Sequence, residues 1–333
     1  MNIGVLGAGT WGMALTRMLY NMGHGVTVWS AIGEEIDQLD RERIQKNLPG
    51  MVIPAGVKFT KDIGTVCAGR DLLLFAVPSV FVRSTARLAA PYIPEGQLIA
   101  DVAKGLEPGT LKTMSEIIRD ELPGKSARIV ALSGPTHAEE VAQDLPTTIV
   151  SACADIEAAE AVQGIFMNDV MRVYTNTDIK GVELCGALKN IIALAAGISA
   201  GIGFGDNAKA ALITRGLAEI ARLGDKLGCH HQTFAGLAGM GDLIVTATSR
   251  HSRNNRCGFL IGQGVPPEEA IRQVGMVVEG IHALEATMTL SEKYNVEMPI
   301  SHAVDRVIHH GADPAAEVRR LMNRDPKTEL FYS

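Results

Sequence analysis

The sequence predicts an α/β domain with a doubly wound, mainly parallel sheet over residues 1–177, followed by a mostly α-helical domain over residues 178–333. Three observations predict this fold class. A glycine-rich loop follows the first strand-like segment, strand-like and helical segments then alternate as far as Tyr174, and helical periodicity takes over from about Ile179. Alternation of this kind produces parallel strands, whose carboxyl ends face a ligand crevice.

The first element is an apolar strand that begins at Asn2 and runs into G-x-G-x-x-G at Gly7, Gly9 and Gly12, with a helix predicted over 13–22. In this position the first glycine allows a tight turn, the second lets the backbone approach a pyrophosphate, and the third lets helix and strand pack closely. The phosphates bind at the N-terminus of the helix. The N-terminal domain is therefore predicted to be a Rossmann-like domain that binds NAD(P).

The second strand, Val26 to Trp29, ends at Ser30 and Ala31, where a residue that contacts the adenosine ribose is expected. Neither residue is an acid, which would favour NAD, or an arginine, which would favour NADP. Glu34 and Glu35 follow in a predicted helix, and their side chains are expected to point to solvent. The preference between NADH and NADPH is therefore expected to be at most about tenfold, equivalent to ~1.4 kcal/mol.

Lys104 is the most informative residue at the end of a later strand. Further strands are predicted at Asp71 to Val77, Gln97 to Ala103, Arg128 to Leu132, Thr147 to Ala152 and Met171 to Tyr174. Lys104 follows the second of these, so its ammonium group is expected to face the nicotinamide and the substrate. The alternative is an exposed loop lysine. The segments Val77-Pro78-Ser79 and Ser133-Gly134-Pro135-Thr136 follow two other strands and are expected at the same edge of the sheet.

The helical domain begins with a helix, roughly Ile179 to Ser199, whose apolar residues occur on nearly every side, which predicts burial all round. Lys189 lies in its middle, with no carboxylate in reach on the same helix. Burial favours the neutral form of a lysine and lowers its pKa, which suits a general acid or base. The alternative is a lysine that extends to the helix surface. Stable membrane insertion is not expected, because a central lysine costs about 2.5–3.5 kcal/mol.

Composition and charge argue against several classes of function. The chain has 333 residues, a formal net charge of −6 and 5% aromatic residues, which argues against nucleic acid as a partner. Its five cysteines are scattered and its nine histidines show no metal-ligand spacing, so neither a disulfide framework nor a metal site is predicted. A cytoplasmic location is expected, because a reducing compartment suits this use of cysteine.

A candidate anion site lies between Ser249 and Arg256, where three arginines surround a predicted helix start capped by Ser252 or Asn254. Arginine side chains and a helix N-terminus together suit a phosphate or a carboxylate. The alternative is a solvated basic face. A glycine-rich loop shortly before this segment carries a single carboxylate, Asp242.

Together these segments resemble the NAD(P)-dependent glycerol-3-phosphate dehydrogenases over nearly the whole chain. The matching segments are GAGTWG (7–12), AKGLE (103–107), SGPTHAEE (133–140), GALKNIIALAAGISAGIGFGDNAKAALITRGLAE (186–219), GLAGMGDL (236–243), SRN (252–254) and VVEG (277–280). The resemblance implies reversible hydride transfer between dihydroxyacetone phosphate and sn-glycerol 3-phosphate. It also implies a homodimer and a role in supplying the backbone of glycerophospholipids.

The same resemblance implies roles for individual residues. Lys189 is similar to the proton donor and acceptor at the C2 oxygen of the substrate, Lys104 to a second cation there, and Asp242 to the carboxylate that holds the catalytic lysine. The implied substrate-binding residues are Lys104, Gly134, Thr136, Lys189, Asn190, Asp242, Ser252, Arg253 and Asn254. The implied cofactor-binding residues are Gly7, Gly9, Thr10, Trp11, Gly12, Ala31, Lys104, Ala138, Arg253, Val277 and Glu279.

Two positions depart from the family pattern, and two other classes of protein remain open. Ala31 stands where relatives often have a basic or imidazole side chain, and His137 replaces a commoner aromatic residue, which is expected to be a neutral packing change. A β-hydroxyacid or ketopantoate-type reductase would share the glycine loop and an interdomain lysine but needs no phosphate site such as 252–254. A non-catalytic dinucleotide-binding module would need neither of the two lysines nor the aspartate.

Overall fold

The computed structural model describes residues 1–329 and contains one eight-stranded sheet with the strand order β3-β2-β1-β4-β5-β6-β7-β8. The strands are β1 (Asn2–Leu6), β2 (Gly25–Trp29), β3 (Lys58–Thr60), β4 (Leu72–Phe75), β5 (Leu98–Asp101), β6 (Arg128–Ser133), β7 (Thr147–Ala152) and β8 (Met171–Asn176). All neighbours pair in parallel except β6 and β7, which are antiparallel. The predicted fold class is confirmed. Residues 330–333, which the predicted second domain includes, lie outside the described part.

The helices of the N-terminal half connect the strands, and those of the C-terminal half follow the sheet. They are α1 (Thr10–Asn21), α2 (Gly33–Glu42), α3 (Ile63–Cys67), α4 (Val82–Ala89), α5 (Met114–Asp120), α6 (Ala138–Val141), α7 (Ile156–Phe166), α8 (Ile179–Ile202), α9 (Asp206–Lys226), α10 (His231–Ala235), α11 (Asp242–Thr248), α12 (Arg253–Gly262), α13 (Pro267–Val274), α14 (Glu279–Tyr294), α15 (Pro299–His309) and α16 (Pro314–Met322). A π-helical turn, Leu237–Gly241, connects α10 to α11.

The glycine loop forms a tight connection between β1 and α1. Gly7 has a φ of 123°, and its N–H donates to the carbonyl oxygen of Trp29 at 2.8 Å. A Cβ on Gly12 would lie 2.3 Å from the carbonyl oxygen of Gly7, so only glycine fits there. The helix begins at Thr10, three residues before the predicted start. The prediction placed the start at the first residue of the apolar run, whereas the helix begins inside the glycine loop.

The short strand β3 was missed because it is a three-residue edge strand with no buried residue. Three predicted strand ends differ from the observed ends by two residues. The apolar runs that end at Val77 and Ala103 extend past the hydrogen-bonded strands, which end at Phe75 and Asp101, while β8 continues two residues beyond Tyr174. Apolar composition continues into the loops at the ligand edge, so it marks burial there rather than strand pairing.

Helix α8 is the centre of the helical half, and every residue from Gly181 to Ser199 is buried. It is long and apolar enough to cross a membrane by length and composition, but 83% of its apolar window is buried inside the molecule, as in a core helix. Helix α12 packs closely against it, because a Cβ on Gly197 would lie 2.1 Å from the carbonyl oxygen of Asn255 and one on Gly258 would lie 2.1 Å from that of Leu194. The small residues of α8 therefore serve helix packing.

Candidate active site

A lysine–aspartate–lysine cluster lies between the sheet and the helical half. Lys189 is 5% exposed, so the alternative of a side chain that extends to the surface is wrong. Its Nζ donates to Asp242 Oδ1 and, at 2.7 Å, to Thr246 Oγ1. Lys104 Nζ donates to Asp242 Oδ2 at 2.8 Å, to the carbonyl oxygen of Gly134 at 3.1 Å and to Thr136 Oγ1 at 3.3 Å. One carboxylate therefore holds two ammonium groups.

Four separate elements bring this cluster together. Lys104 follows the C-terminal end of β5, and Gly134 and Thr136 follow that of β6, so both groups face the ligand edge of the sheet. Lys189 comes from the middle of α8, and Asp242 is the first residue of α11. Lys104 is thus a half-buried site residue, and the alternative of an exposed loop lysine is wrong.

The protonation of the cluster follows from its burial and charges. Burial lowers the pKa of Lys189 to about 7; the Asp242 carboxylate opposes this shift and the Lys104 ammonium reinforces it. Burial alone would raise the pKa of Asp242, but the two ammonium groups hold it below its usual value. The cluster therefore combines a carboxylate whose charged form two ammonium groups stabilise with a lysine that exchanges its proton near neutral pH.

Replacing Asp242 with asparagine is expected to lower kcat less than removal of Lys189 does and to move the pH–rate profile. The carboxylate raises the pKa of Lys189, so its loss lowers that pKa further below about 7. Reduction needs protonated Lys189, so as the pH rises the rate of reduction by the variant should begin to fall at a lower pH than that of the wild type. Measuring kcat/KM against pH in the reductive direction tests this. Asp206→Asn is a matched control, because Asp206 is also the first residue of a helix but is exposed. An unchanged profile for Asp242→Asn would contradict the pairing.

The candidate anion site is built around the N-terminus of α12. Ser252 is the cap residue, since its Oγ accepts from the N–H of Asn255 at 3.2 Å. The other predicted cap, Asn254, is buried and binds elsewhere: its Nδ2 donates to Asn190 Oδ1 at 2.9 Å and its Oδ1 accepts from Gly280 N–H at 2.8 Å. Asn190 adjoins the central lysine of α8, so this bond ties the anion site to the cluster.

Arg253 differs from the other two arginines of the run in its burial. It is half-buried, and it has no hydrogen-bond or ion-pair partner within residues 1–329, the range that the structure describes. Arg250 and Arg256, the other arginines of the run, are exposed. A partly buried cation without a protein partner at a helix N-terminus suits a phosphate group.

The predicted cofactor residues come from the glycine loop, from loops after other strands and from the start of α14. A Cβ on Gly9 would meet no atom within 4 Å, so the glycine loop faces open space that a pyrophosphate can fill. Ala138 is the first residue of α6, and Val277 lies just before α14. Glu279 begins α14 and accepts from Ser79 N–H at 3.2 Å and Ser79 Oγ at 2.5 Å, which joins the helical half to the loop after β4. Trp11 is half-buried beside the loop.

Sequence reasoning missed three polar residues beside these groups. Thr246 binds Lys189 and lies one helical turn after Asp242, and this four-residue spacing is a signal that could have found it. Gln45 Nε2 donates to the carbonyl oxygen of Ala8 at 3.1 Å, and Asn47 Nδ2 donates to Thr10 Oγ1 at 3.3 Å, so the segment after α2 covers the glycine loop. Nothing in the local pattern around Gln45 and Asn47 indicates this contact.

The expectation for Glu35 was wrong. Its side chain is half-buried and accepts from Ser30 Oγ at 2.7 Å, so it points back to the end of β2 and not to solvent. Glu34 is exposed, as expected, and so is Ala31. At position 137, the imidazole Nε2 of the histidine lies 3.4 Å from the carbonyl oxygen of Val245, and burial lowers its pKa.

Two other kinds of candidate site are a metal site and a cavity away from the cluster. Residues 1–329 contain no group of three or more His, Cys, Asp or Glu residues arranged to hold a metal ion. A cavity of about 590 Å³ lies between α9, α15 and α16 and is lined in part by Leu212, Glu219 and Ile300. Since it contains neither lysine of the cluster, we do not assign the chemistry to it.

Comparison with known proteins places the chain in a family. A family model described as NAD-dependent glycerol-3-phosphate dehydrogenase N-terminus matches residues 2–159, and its C-terminus counterpart matches residues 178–319. The two matches and the sheet with its glycine loop define the protein as an NAD(P)-dependent dehydrogenase, an oxidoreductase. More specifically, the chain belongs to the NAD-dependent glycerol-3-phosphate dehydrogenase family.

Individual relatives agree with this assignment. Glycerol-3-phosphate dehydrogenase [NAD(P)+] 2 of Lactobacillus delbrueckii subsp. bulgaricus is 64% identical over 332 residues, which cover 98% of each chain. The crystal structure of glycerol-3-phosphate dehydrogenase from Coxiella burnetii has a TM-score of 0.93 and 37% identity, and the match covers 97% of this chain and 99% of that one. A ketopantoate reductase from Ralstonia eutropha covers 96% of this chain with a TM-score of 0.62 and 15% identity, which shows a shared fold alone.

Proposed function

We propose that this chain catalyses the reversible conversion of dihydroxyacetone phosphate and NAD(P)H to sn-glycerol 3-phosphate and NAD(P)+. The observation that carries the proposal is the buried Lys189–Asp242–Lys104 cluster at the ligand edge of a sheet with a dinucleotide loop. Family membership and relatives that bear this activity in their names support it.

The bound cofactor supplies or accepts the hydride at C2 of the substrate. In the reductive direction negative charge develops on the C2 oxygen, and Lys189 donates a proton to that oxygen. Lys104 stabilises the same charge, and the burial of the cluster strengthens both interactions because little water screens them. In the oxidative direction neutral Lys189 accepts the proton of the C2 hydroxyl. Asp242 positions both ammonium groups, and Thr246 fixes the direction in which Lys189 points.

The substrate phosphate binds Arg253 at the N-terminus of α12 in this proposal. Ser252 and Asn254 hold that end of the helix in place, through the cap bond and through the bond to Asn190. The phosphate then fixes the distance from the anion site to C2, so the ketone lies against the lysine cluster. Gly134 and Thr136 contribute indirectly, because both accept hydrogen bonds from Lys104.

We further propose the division into a nucleotide-binding domain, 1–177, and a substrate-binding domain, 178–333. The end of β8 at Asn176 and the start of α8 at Ile179 support it. A cytoplasmic homodimer that supplies glycerol 3-phosphate for glycerophospholipid synthesis is also part of the proposal. Its support is the family resemblance and the scattered cysteines.

A spectrophotometric assay tests the proposed activity. Purified protein is mixed with dihydroxyacetone phosphate and NADH or NADPH, and absorbance at about 340 nm, the nicotinamide band, is followed. The expected result is a decrease that depends on the phosphorylated ketone, with little change when unphosphorylated dihydroxyacetone replaces it. No decrease with either cofactor would reject the proposal and favour another reductase or a non-catalytic module.

A further inference from the structure

The end of β2 is the place in this chain where the two cofactors can be distinguished. β1 and β2 pair in parallel with Leu6 opposite Trp29, and Gly7 N–H binds the carbonyl oxygen of Trp29. Ser30 therefore lies next to the glycine loop, at the position from which a dinucleotide-binding sheet contacts the adenosine ribose. NADH and NADPH differ only there, by a 2′-phosphate.

An acid reaches this position from the following helix. Ser30 is 8% exposed, its Oγ donates to Glu35 Oε2 at 2.7 Å, and the same Oγ accepts from Ile32 N–H at 3.2 Å. The hydroxyl is thus held from both sides and fixes the carboxylate at the strand end. Glu35 lies in the first turn of α2, where the helix N-terminus stabilises an acidic side chain.

The charge of this carboxylate is not neutralised by a neighbouring side chain. Glu35 has no ion pair within the described residues 1–329. Lys61 lies alongside Gly33, where an added Cβ would be 3.5 Å from its aliphatic carbons and 3.8 Å from its Nζ, but this ammonium is paired with Asp37 at 2.7 Å. Arg43 likewise binds Asp40 at 2.6 Å. The Glu35 carboxylate is therefore a negative charge at the end of β2 without a cation paired to it in the described residues.

We propose that Glu35, positioned by Ser30, contacts the adenosine ribose and makes NADH the preferred cofactor by more than tenfold. The carboxylate accepts hydrogen bonds from the ribose hydroxyls and repels the phosphate of NADPH. This inference rests on the proposed function and revises the dual specificity expected from the sequence. Because this acidic residue lies in α2, the residues at the end of β2 do not indicate it.

A binding experiment without substrate or nicotinamide tests this contact. The dissociation constants of ADP-ribose and 2′-phospho-ADP-ribose are measured by isothermal titration calorimetry for the wild type, Glu35→Gln and Glu34→Gln. We expect the wild type to bind ADP-ribose more than about tenfold tighter. Glu35→Gln should reduce this ratio about tenfold, mainly through tighter binding of the phosphorylated ligand. Glu34→Gln makes the same charge change at an exposed site and should alter the ratio less than about threefold.

The outcomes separate this inference from the catalytic proposal. A wild-type ratio below tenfold, tighter binding of the phosphorylated ligand, or equal effects of the two glutamine variants would overturn it. So would an unchanged ratio in Glu35→Gln. Since the ligands contain neither the ketone nor the nicotinamide, an enzyme inactive with dihydroxyacetone phosphate would still give a clear result. The ratio of kcat/KM for NADH and NADPH should change in the same direction as the binding ratio.

Discussion

The variant Lys189→Ala is expected to reduce dihydroxyacetone phosphate with a kcat lower by about a hundredfold to ten-thousandfold, the usual range for loss of a general acid. Lys189 is the buried lysine of α8, its pKa is lowered to about 7, and it is held by Asp242 and Thr246. Nucleotide binding should change little, because the glycine loop belongs to another element. Steady-state kinetics and NADH titration of the same preparation measure the two effects separately.

Controls for this prediction address folding and charge. Removing Lys189 leaves a buried carboxylate with one ammonium partner, Lys104, so the thermal unfolding of each variant is compared with that of the wild type. Lys189→Met retains most of the aliphatic volume, and Lys180→Ala removes a half-exposed lysine from the same helix. Only the two Lys189 variants should lose kcat. A folded Lys189→Ala enzyme with near-normal kcat would exclude this residue from proton transfer.

The parts of the fold that local patterns determine could be predicted from the sequence. Apolar runs between turn residues identified every strand except β3, and the continuous apolar composition of α8 predicted its burial. The exact ends could not be predicted, because apolar residues continue past Phe75 into the loop at the ligand edge. The three-residue strand β3 forms by pairing with β2, and a local sequence pattern does not show this tertiary contact.

The site was predictable only where a residue carries a signal of its own. A lysine in an apolar helix indicates unusual chemistry, but its spacing gives no information on the partner, which is 53 residues away in the chain. The family resemblance supplied Asp242, and the structure added Thr246. The sequence predicts that Glu35 points to solvent because helix periodicity gives only the direction in which a side chain leaves its own helix. Periodicity does not predict the hydrogen bond from Ser30 to the Glu35 carboxylate across the turn before α2.

The variant Arg253→Ala is expected to raise KM for dihydroxyacetone phosphate by about ten- to a hundredfold, since a hydrogen bond to a charged group contributes about 1.5–3 kcal/mol. Its guanidinium group has no hydrogen-bond or ion-pair partner within residues 1–329, so the truncation breaks no such contact there. KM and kcat are measured for the phosphorylated and the unphosphorylated ketone. Unphosphorylated dihydroxyacetone should be a poor substrate for both enzymes, because it cannot use this interaction.

Arg250→Ala and Arg256→Ala serve as matched controls for this variant. They remove the same group from the same basic run, but both side chains are exposed, so their loss should change KM less than about threefold. If Arg253→Ala still favours the phosphorylated ketone as strongly as the wild type does, the phosphate binds elsewhere in the run. A control variant with the larger rise in KM would identify that place. The comparison among three arginines thus locates the anion site from kinetics, because only the arginine that contacts the phosphate distinguishes the two ketones.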